Sequence, residues 1–251
     1  MAADTVEPRR LLVTGGGSGI GQAVCRIASD RGMQVVALDT DADGLAETSA
    51  GTRISTVQCD ITNEDAVITA VVQASEMVGG PIDSLVAAAG VYRIKPAVEL
   101  DGMGFLLLMA VNVTGAFLAA REVARHLVDS EVPGSIVFLA SMASESGDTH
   151  EPAVHYSASK GAVVSMTRQL AVEWAPHEIR VNAVSPGVIS TPMLRLTDDP
   201  EAAARYLQHG VPLRRLGRAD EVARACLFLI GSESSYITGA ILPVDGGATI
   251  A

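Results

Sequence analysis

The chain is poor in cysteine, in aromatic rings and in positive charge, and each shortage closes off a class of function. Cys25, Cys59 and Cys226 are its only cysteines. An odd number at wide spacing provides neither a disulfide framework nor a metal-binding motif, and a reducing, cytoplasmic compartment is the expectation. Lys and Arg number 18 against 29 Asp and Glu, for a formal charge of −11. A nucleic-acid partner needs cations to neutralise phosphate, and so does an anionic membrane surface, so neither partner is expected. The first residues, MAADTVEPRR, lack the apolar stretch of a secretory signal. The longest apolar run, FLLLMAVNVTGAFLAA at 105–120, is shorter than a bilayer span and contains Asn112, so a buried helix is expected there. No metal site is expected. HEIR at 177–180 lacks the second histidine of a zinc-protease motif, because Val181 stands in its place. GGSGI at 16–20 lacks the last glycine of a nucleophile elbow.

Apolar residues make up 48% of the chain and aromatics only 4%, so Ala, Val, Leu and Ile must build the core. That composition excludes a disordered chain. The apolar excess also suggests surface covered in an oligomer. Short apolar runs at 11–14, 34–39, 53–59, 83–89, 135–140, 179–184 and 240–244 read as strands. Helical periodicity fills 20–31, 64–78, 101–129, 155–175 and 219–230, with a modest helix at 201–209. Strands alternating with helices predict an α/β fold, a doubly wound, seven-stranded parallel sheet with helices on both faces. The apolar strands need cover on both sides. One domain spanning 1–251 is expected, with a mobile substrate loop near 190–213.

VTGGGSGIG at 13–21 follows the first strand and opens a helix. Its glycines let the backbone approach a pyrophosphate at the helix N-terminus, although glycine turns also serve plain chain reversal. Asp39 ends the second strand, where a carboxylate can accept bonds from an adenosine ribose. A helix cap or turn aspartate is the alternative. As a ribose ligand it would repel a 2′-phosphate by roughly 4 kcal/mol per unit charge at about 4 Å. No Lys or Arg stands at Ser18 or Thr40 to reverse that preference, so NAD is the expected cofactor. Tyr156 and Lys160 are spaced i, i+4 on one helix face. A tyrosine titrates near 10, and an adjacent ammonium would favour its phenolate, making it a proton acceptor or donor. A surface pair with a snorkelling lysine is the alternative.

Taken in order, TGGGSGIG, CDIT at 59–62, AAAG at 87–90, VNVTG at 111–115, SIVFLASMAS at 135–144, YSASK at 156–160, RVNAVSPGVISTPM at 180–193 and GAILPVDGG at 239–247 resemble the short-chain dehydrogenase/reductase family over nearly the full length. The resemblance implies that Gly15, Ser18, Gly19, Ile20 and Gly21 form the phosphate loop and that Asp39 holds the ribose. Asp60 and Ile61 would contact the adenine, and Ala89 and Gly90 would pass beneath the cofactor. Pro186, Gly187, Ile189 and Thr191 would border the nicotinamide. Asn112, Ser141, Tyr156 and Lys160 would be the catalytic four, with Lys160 also binding the nicotinamide ribose, Ser141 the substrate oxygen, and Asn112 a water linked to Lys160.

The implied activity is interconversion of a secondary alcohol and a ketone by hydride transfer to and from NAD. The implied assembly is a homo-oligomer, a tetramer. A cofactor sensor or scaffold without turnover, or a lyase on the same fold, are the competing functions. Two departures stand out. Ala87 and Ala88 replace the family's asparagines, and the stretch between Ser141 and Tyr156 is longer than usual. Tyr92 and Arg93 are pocket-rim candidates; His150 and His155 flank the expected pocket and read as loop or packing residues, with substrate binding as the alternative, and Met166 and Trp174 read as packing.

Overall fold

The computed structural model describes residues 9–147, 151–194 and 200–251. Seven parallel strands form one sheet: β1 (Arg10–Thr14), β2 (Gln34–Asp39), β3 (Ser55–Gln58), β4 (Ser84–Ala87), β5 (Gly134–Leu139), β6 (Ile179–Pro186) and β9 (Ile241–Val244), in the order β3-β2-β1-β4-β5-β6-β9. β7 (Ile189–Ser190) and β8 (Gly217–Arg218) make a separate two-stranded pair. The expected strands are all found, within a few residues of their limits.

Alternation along each strand sends side chains to two cores. Leu12, Val36, Leu85, Phe138 and Ala183 face one side, which is covered by α3 (Glu64–Met77), α5 (Ala116–Ser130) and α6 (Val154–Trp174). Leu11, Val13, Val35, Val137 and Val184 face the other, covered by α1 (Gly19–Asp30), α2 (Ala42–Ser49) and α8 (Ala219–Ile230). Trp174 belongs to the first core and Met166 packs against it, as expected. α4 (Gly102–Met109) leads into α5 through a π-helical turn at Ala110–Gly115, and α7 (Pro200–Gly210) lies within the segment read as a mobile loop.

Two readings need correction. α2 was not expected, because DADG reads as a turn. Asp41 caps it instead, its Oδ1 accepting from the N–H groups of Asp43 and Gly44, both at 3.1 Å. The apolar run at 105–120 is part of a longer continuous helix, Gly102–Ser130, of 29 residues, whose most apolar 18-residue stretch has a mean hydropathy of 2.0, enough by length and composition alone to cross a membrane. Packing accounts for part of that hydropathy, with Leu108, Ala116, Leu118, Ala119 and Ala120 buried. Leu118, Ala119, Val123 and Leu127 of α5 are core residues, and Glu122, 1% exposed, sits among them paired with Arg125 and His126. The helix is not buried all round, since Met103, Leu106 and Leu107 are exposed.

Chain order reverses across the sheet between β1 and β4. The chain winds outward through β2 and β3, then returns to place β4 on the other side of β1. Loops diverge there at the carboxyl ends of the strands, and such crevices bind ligands in open α/β sheets.

Candidate active site

The loop after β1 turns back on itself within hydrogen-bonding distance of its neighbours. Gly15 has φ +70°, and a Cβ there would lie 2.6 Å from the Ala89 nitrogen. At Gly21 a Cβ would lie 2.0 Å from the Gly15 carbonyl oxygen, so only glycine lets α1 begin so close to the strand. Ser18 is the N-cap residue of α1, but its side chain makes no capping bond, and the first turn carries no acidic residue. The first-turn N–H groups therefore keep the positive helix end that a phosphate group requires. Ile20 lies in that first turn, and Gly19 faces Thr191 across the crevice at 3.5 Å from its would-be Cβ. These features fit a dinucleotide pyrophosphate.

Asp39, at the end of β2, is fixed beside the loop. Its Oδ2 accepts from the Gly17 N–H at 2.9 Å and its Oδ1 from the Asp41 N–H at 3.1 Å. A carboxylate can accept about four hydrogen bonds, so both oxygens can still take ribose hydroxyls. Asp60 turns the chain after β3 by accepting from the Thr62 N–H and hydroxyl at 2.9 and 2.7 Å. Its neighbour Ile61 is buried against the π turn, where a Cβ on Gly115 would lie 2.6 Å from Ile61 Cγ1. On the far side, Gly187 approaches Asp245 so closely that a Cβ would lie 2.7 Å from its Cα. Pro186 ends β6, and Ile189 lies in β7 against Gly217.

The loop after β4 does without the family's asparagines. Ala87 is buried in the core, and Thr14 ties the loop to β1 instead. Its carbonyl accepts from the Ala88 N–H and its hydroxyl from the Ala89 N–H, both at 3.2 Å. Gly90 then passes between Asn112 and Lys160, with a would-be Cβ 3.3 Å from Asn112 Oδ1 and 3.9 Å from Lys160 Nζ.

Asn112 lies inside the π turn and is 2% exposed. Its Oδ1 accepts from the Val91 N–H at 2.8 Å, while its Nδ2 donates to the Val91 carbonyl at 3.0 Å and to Ser159 Oγ at 3.1 Å. Ser159 Oγ in turn donates to the Tyr156 carbonyl at 2.7 Å. Both amide hydrogens of Asn112 are thus engaged by protein. Its side chain clamps the β4 loop to the helix of Tyr156. The wide π turn, a feature common at functional sites, aims this amide inward.

Lys160 is 6% exposed, and its ammonium donates to the Leu139 carbonyl at 2.7 Å, at the end of β5. Nζ stands 5.6 Å from the centre of the Tyr156 ring. Burial pulls its pKa from 10.5 down to about 8. Burial also pushes the Tyr156 phenol above its ordinary value, and a hydrogen bond with Ser141 acts against that. The direction opposes the lowering expected from Lys160, because desolvation of Tyr156 outweighs its bond with Ser141. Ser141, itself buried, also accepts from the Ala143 N–H at 3.2 Å, which fixes its hydroxyl at the mouth of β5.

A lysine whose folded pKa is depressed costs stability wherever it remains charged. That cost is full below about pH 8 and fades as pH rises towards 10.5, because in this window the unfolded chain binds more protons than the folded one. Without added nucleotide, the stability of the wild type relative to Lys160→Met should therefore increase by roughly 3 kcal/mol between pH 8 and 10.5. Urea unfolding of both proteins across this range would measure it, and a flat difference would contradict a buried charge.

His155 is 1% exposed, and its Nδ1 has no hydrogen-bond partner among the described residues. Burial, then Arg93 and Lys95, lower its pKa, which favours the neutral imidazole. His150 lies outside the described residues. Tyr92 pairs with Glu151, 59 residues away, a contact that no local pattern announces. An open groove of about 440 Å³ between α3 and the end of α5, lined by Ser75, Pro81 and His126, gathers none of these residues. Among the described residues no cluster of His, Cys, Asp and Glu could hold a metal ion.

The family model described as Enoyl-(Acyl carrier protein) reductase matches residues 15–249. The chain is 39% identical to galactitol 2-dehydrogenase (L-tagatose-forming) of Cereibacter sphaeroides over 95% of its own length and 94% of that protein's. It is 38% identical to an NAD-dependent glycerol dehydrogenase of Listeria innocua serovar 6a, over 95% and 93% of the two chains. The crystal structure of a short-chain type dehydrogenase/reductase from Mycobacterium marinum superposes with a TM-score of 0.92 at 34% identity, covering 97% of this chain and 96% of that one. With this fold, this crevice and these relatives, the chain belongs to the short-chain dehydrogenase/reductase family and is an oxidoreductase that works with a nicotinamide cofactor.

Proposed function

We propose that the protein interconverts a secondary alcohol and a ketone, using NAD in preference to NADP, with Tyr156 as general acid and base. The observation that carries this reading is the convergence of Ser141, Tyr156 and Lys160 at the carboxyl ends of β5 and α6's first turns, facing the glycine loop across the switch point. Nicotinamide, when bound, supplies the acceptor or donor of hydride.

The chain's own groups handle the proton and the geometry. The Ser141 hydroxyl, already bonded with Tyr156, orients the substrate oxygen beside the phenol. The Tyr156 oxygen takes the alcohol proton in oxidation and returns it in reduction. The Lys160 ammonium, held by the Leu139 carbonyl, supplies a fixed positive charge beneath the ring and has further donors for a ribose hydroxyl. Asn112 and Ser159 hold the Tyr156 backbone against the β4 loop. Asp39 accepts the adenosine ribose hydroxyls, with Gly15, Ser18, Gly19, Ile20 and Gly21 around the pyrophosphate, Asp60 and Ile61 at the adenine, and Ala89, Gly90, Pro186, Gly187, Ile189 and Thr191 along the nicotinamide half. The whole chain acts as one catalytic unit; of the expected substrate loop at 190–213, residues 195–199 lie outside the described residues, and Thr191 and α7 belong to the described parts. The exposed Met103, Leu106 and Leu107 of α4 suit burial between copies in a homotetramer, and three buried free thiols suit a reducing cytoplasm.

The test is cofactor reduction by the purified protein over a panel of secondary alcohols, with NAD and NADP in separate arms. Turnover with NAD at the higher kcat/KM is the expected result. Tight binding of NADH with no alcohol or ketone converted would refute the enzyme reading.

A further inference from the structure

We propose that Ser159 is a positioning residue for the reaction: with Asn112, Val91 and Tyr92 it closes a circuit around Tyr156 that fixes the phenol against the segment beneath the cofactor. This deepens the reading above and rests on Tyr156 as the group that moves the proton.

Ser159 lies on α6 three residues after Tyr156 and is 0% exposed. A helical serine that bonds back to the carbonyl of residue i−3 is ordinary and slightly unfavourable. Alanine is the better helix former and would fit the same space. Ser159 is set apart by what its oxygen receives. The Val91 N–H faces Asn112 Oδ1 at 2.8 Å and the Val91 carbonyl faces Nδ2 at 3.0 Å, so the amide has one orientation. Nδ2 therefore donates its other hydrogen to Ser159 Oγ at 3.1 Å, and the single hydroxyl hydrogen goes to the Tyr156 carbonyl at 2.7 Å. Every bond in this line has a forced direction.

The line returns to Tyr156 by a second route. Tyr92 follows Val91, and its ring meets the Tyr156 ring edge to face, with centroids 4.8 Å apart and planes at 79°. One dipeptide, Val91–Tyr92, thus holds Tyr156 at its backbone and at its ring. Gly90, just before it, passes so close that a Cβ would lie 3.3 Å from Asn112 Oδ1. The residue after Ser159 is Lys160, whose ammonium ties the same helical turn to the Leu139 carbonyl at 2.7 Å. The turn is fastened to β5 and to the β4 loop, and two anchors on different strands resist rolling of the helix. Proton transfer needs heavy atoms about 3 Å apart, and a misplacement of about 1 Å can cost roughly 100-fold in rate. Ser159 is the joint that carries the position of the β4 loop to the phenol.

Ser159→Ala removes the joint and keeps the packing, since alanine lacks only the oxygen. Two measurements read it. In the protein without nucleotide, hydrogen exchange followed by mass spectrometry should show the peptide spanning Gly90–Tyr92 exchanging about tenfold faster in the variant, because an Asn112 amide with one idle hydrogen grips the Val91 N–H less well. Peptides of α3 should keep their wild-type rates. With NAD and an alcohol that the wild type oxidises, kcat should fall at least about tenfold while both KM values stay within about threefold, and the deuterium isotope effect on kcat should rise as the chemical step slows. Tyr92→Leu should lower kcat as well. Combined with Ser159→Ala it should lower kcat no more than about twofold beyond the slower single variant, because the circuit is already open. Unchanged exchange at Gly90–Tyr92, full kcat in Ser159→Ala, or multiplied losses in the double variant would each overturn the circuit while leaving the alcohol dehydrogenase reading intact. A wild type that converts no alcohol would overturn that reading and the kinetic role with it, and the exchange measurement would still decide whether Ser159 holds the segment.

Discussion

Tyr156→Phe should fold, bind NADH as the wild type does, and turn over alcohols at least about 10³-fold more slowly. General acid–base groups contribute about 10² to 10⁴ in rate, and neither Ser141 nor Lys160 can substitute. Ser141 has an ordinary hydroxyl, far too weak an acid to exchange protons near neutrality. Lys160 is turned to the Leu139 carbonyl. The ring itself is kept in the variant, so its edge-to-face contact with Tyr92 survives. The backbone restraint through Ser159 survives as well, because it uses the Tyr156 carbonyl. The loss should therefore fall on kcat. Rapid mixing would separate binding from chemistry, and a variant with more than a tenth of wild-type turnover would remove Tyr156 from the proton path. The pH profile adds a second check. Burial holds the phenol of the chain alone above its ordinary value, so a kcat/KM limb for oxidation near neutrality requires that bound cofactor and Lys160 together reverse this shift.

Asp39→Ser should turn the cofactor preference towards NADP, raising the NADP-to-NAD ratio of kcat/KM on the order of 100-fold, which is about 2.7 kcal/mol. The wild-type carboxylate is rigidly presented, with backbone N–H groups on each oxygen. A 2′-phosphate has no route past it except against its charge, at a cost of roughly 4 kcal/mol per unit charge at 4 Å and an effective dielectric near 20. Serine removes the charge while its hydroxyl can still accept from Gly17, so the loop should hold its shape. NAD should weaken at the same time, because a ribose acceptor is lost. If the two cofactors keep their wild-type ratio, Asp39 serves only to brace the loop.

The residues that carry these effects were legible in the sequence because their chemistry is local. The glycine spacing, the acid at the end of β2 and the i, i+4 pair of Tyr156 and Lys160 each lie within one element or at its end. The parallel sheet was legible for a similar reason, since apolar strands with cover on both faces have a plain signature. What escaped depends on residues meeting across the fold. Gly44 made DADG look like a turn, yet it is a packing glycine inside α2, where a Cβ would lie 2.7 Å from the Gly17 carbonyl oxygen. Thr48, further along α2, donates to the Gly16 carbonyl at 2.9 Å, so the whole helix serves as a buttress for the phosphate loop. The bond between Tyr92 and Glu151 has no trace in either segment alone. The clamp made by Asn112 was equally hidden, because its partners come from the β4 loop and from α6.

The widened turn at Ala110–Gly115 has a consequence for how the family can vary. Each residue of an α-helix advances the side-chain direction by about 100°. Losing one residue from this turn would let the helix rewind to an ordinary ladder, but everything beyond it would swing by about that angle. Leu118, Val123 and Leu127 would leave the core, and Glu122 would point somewhere new. Insertions and deletions should therefore accumulate in the segments before α6 and around α7, whereas the length of this one helix stays locked to the inward aim of a single amide.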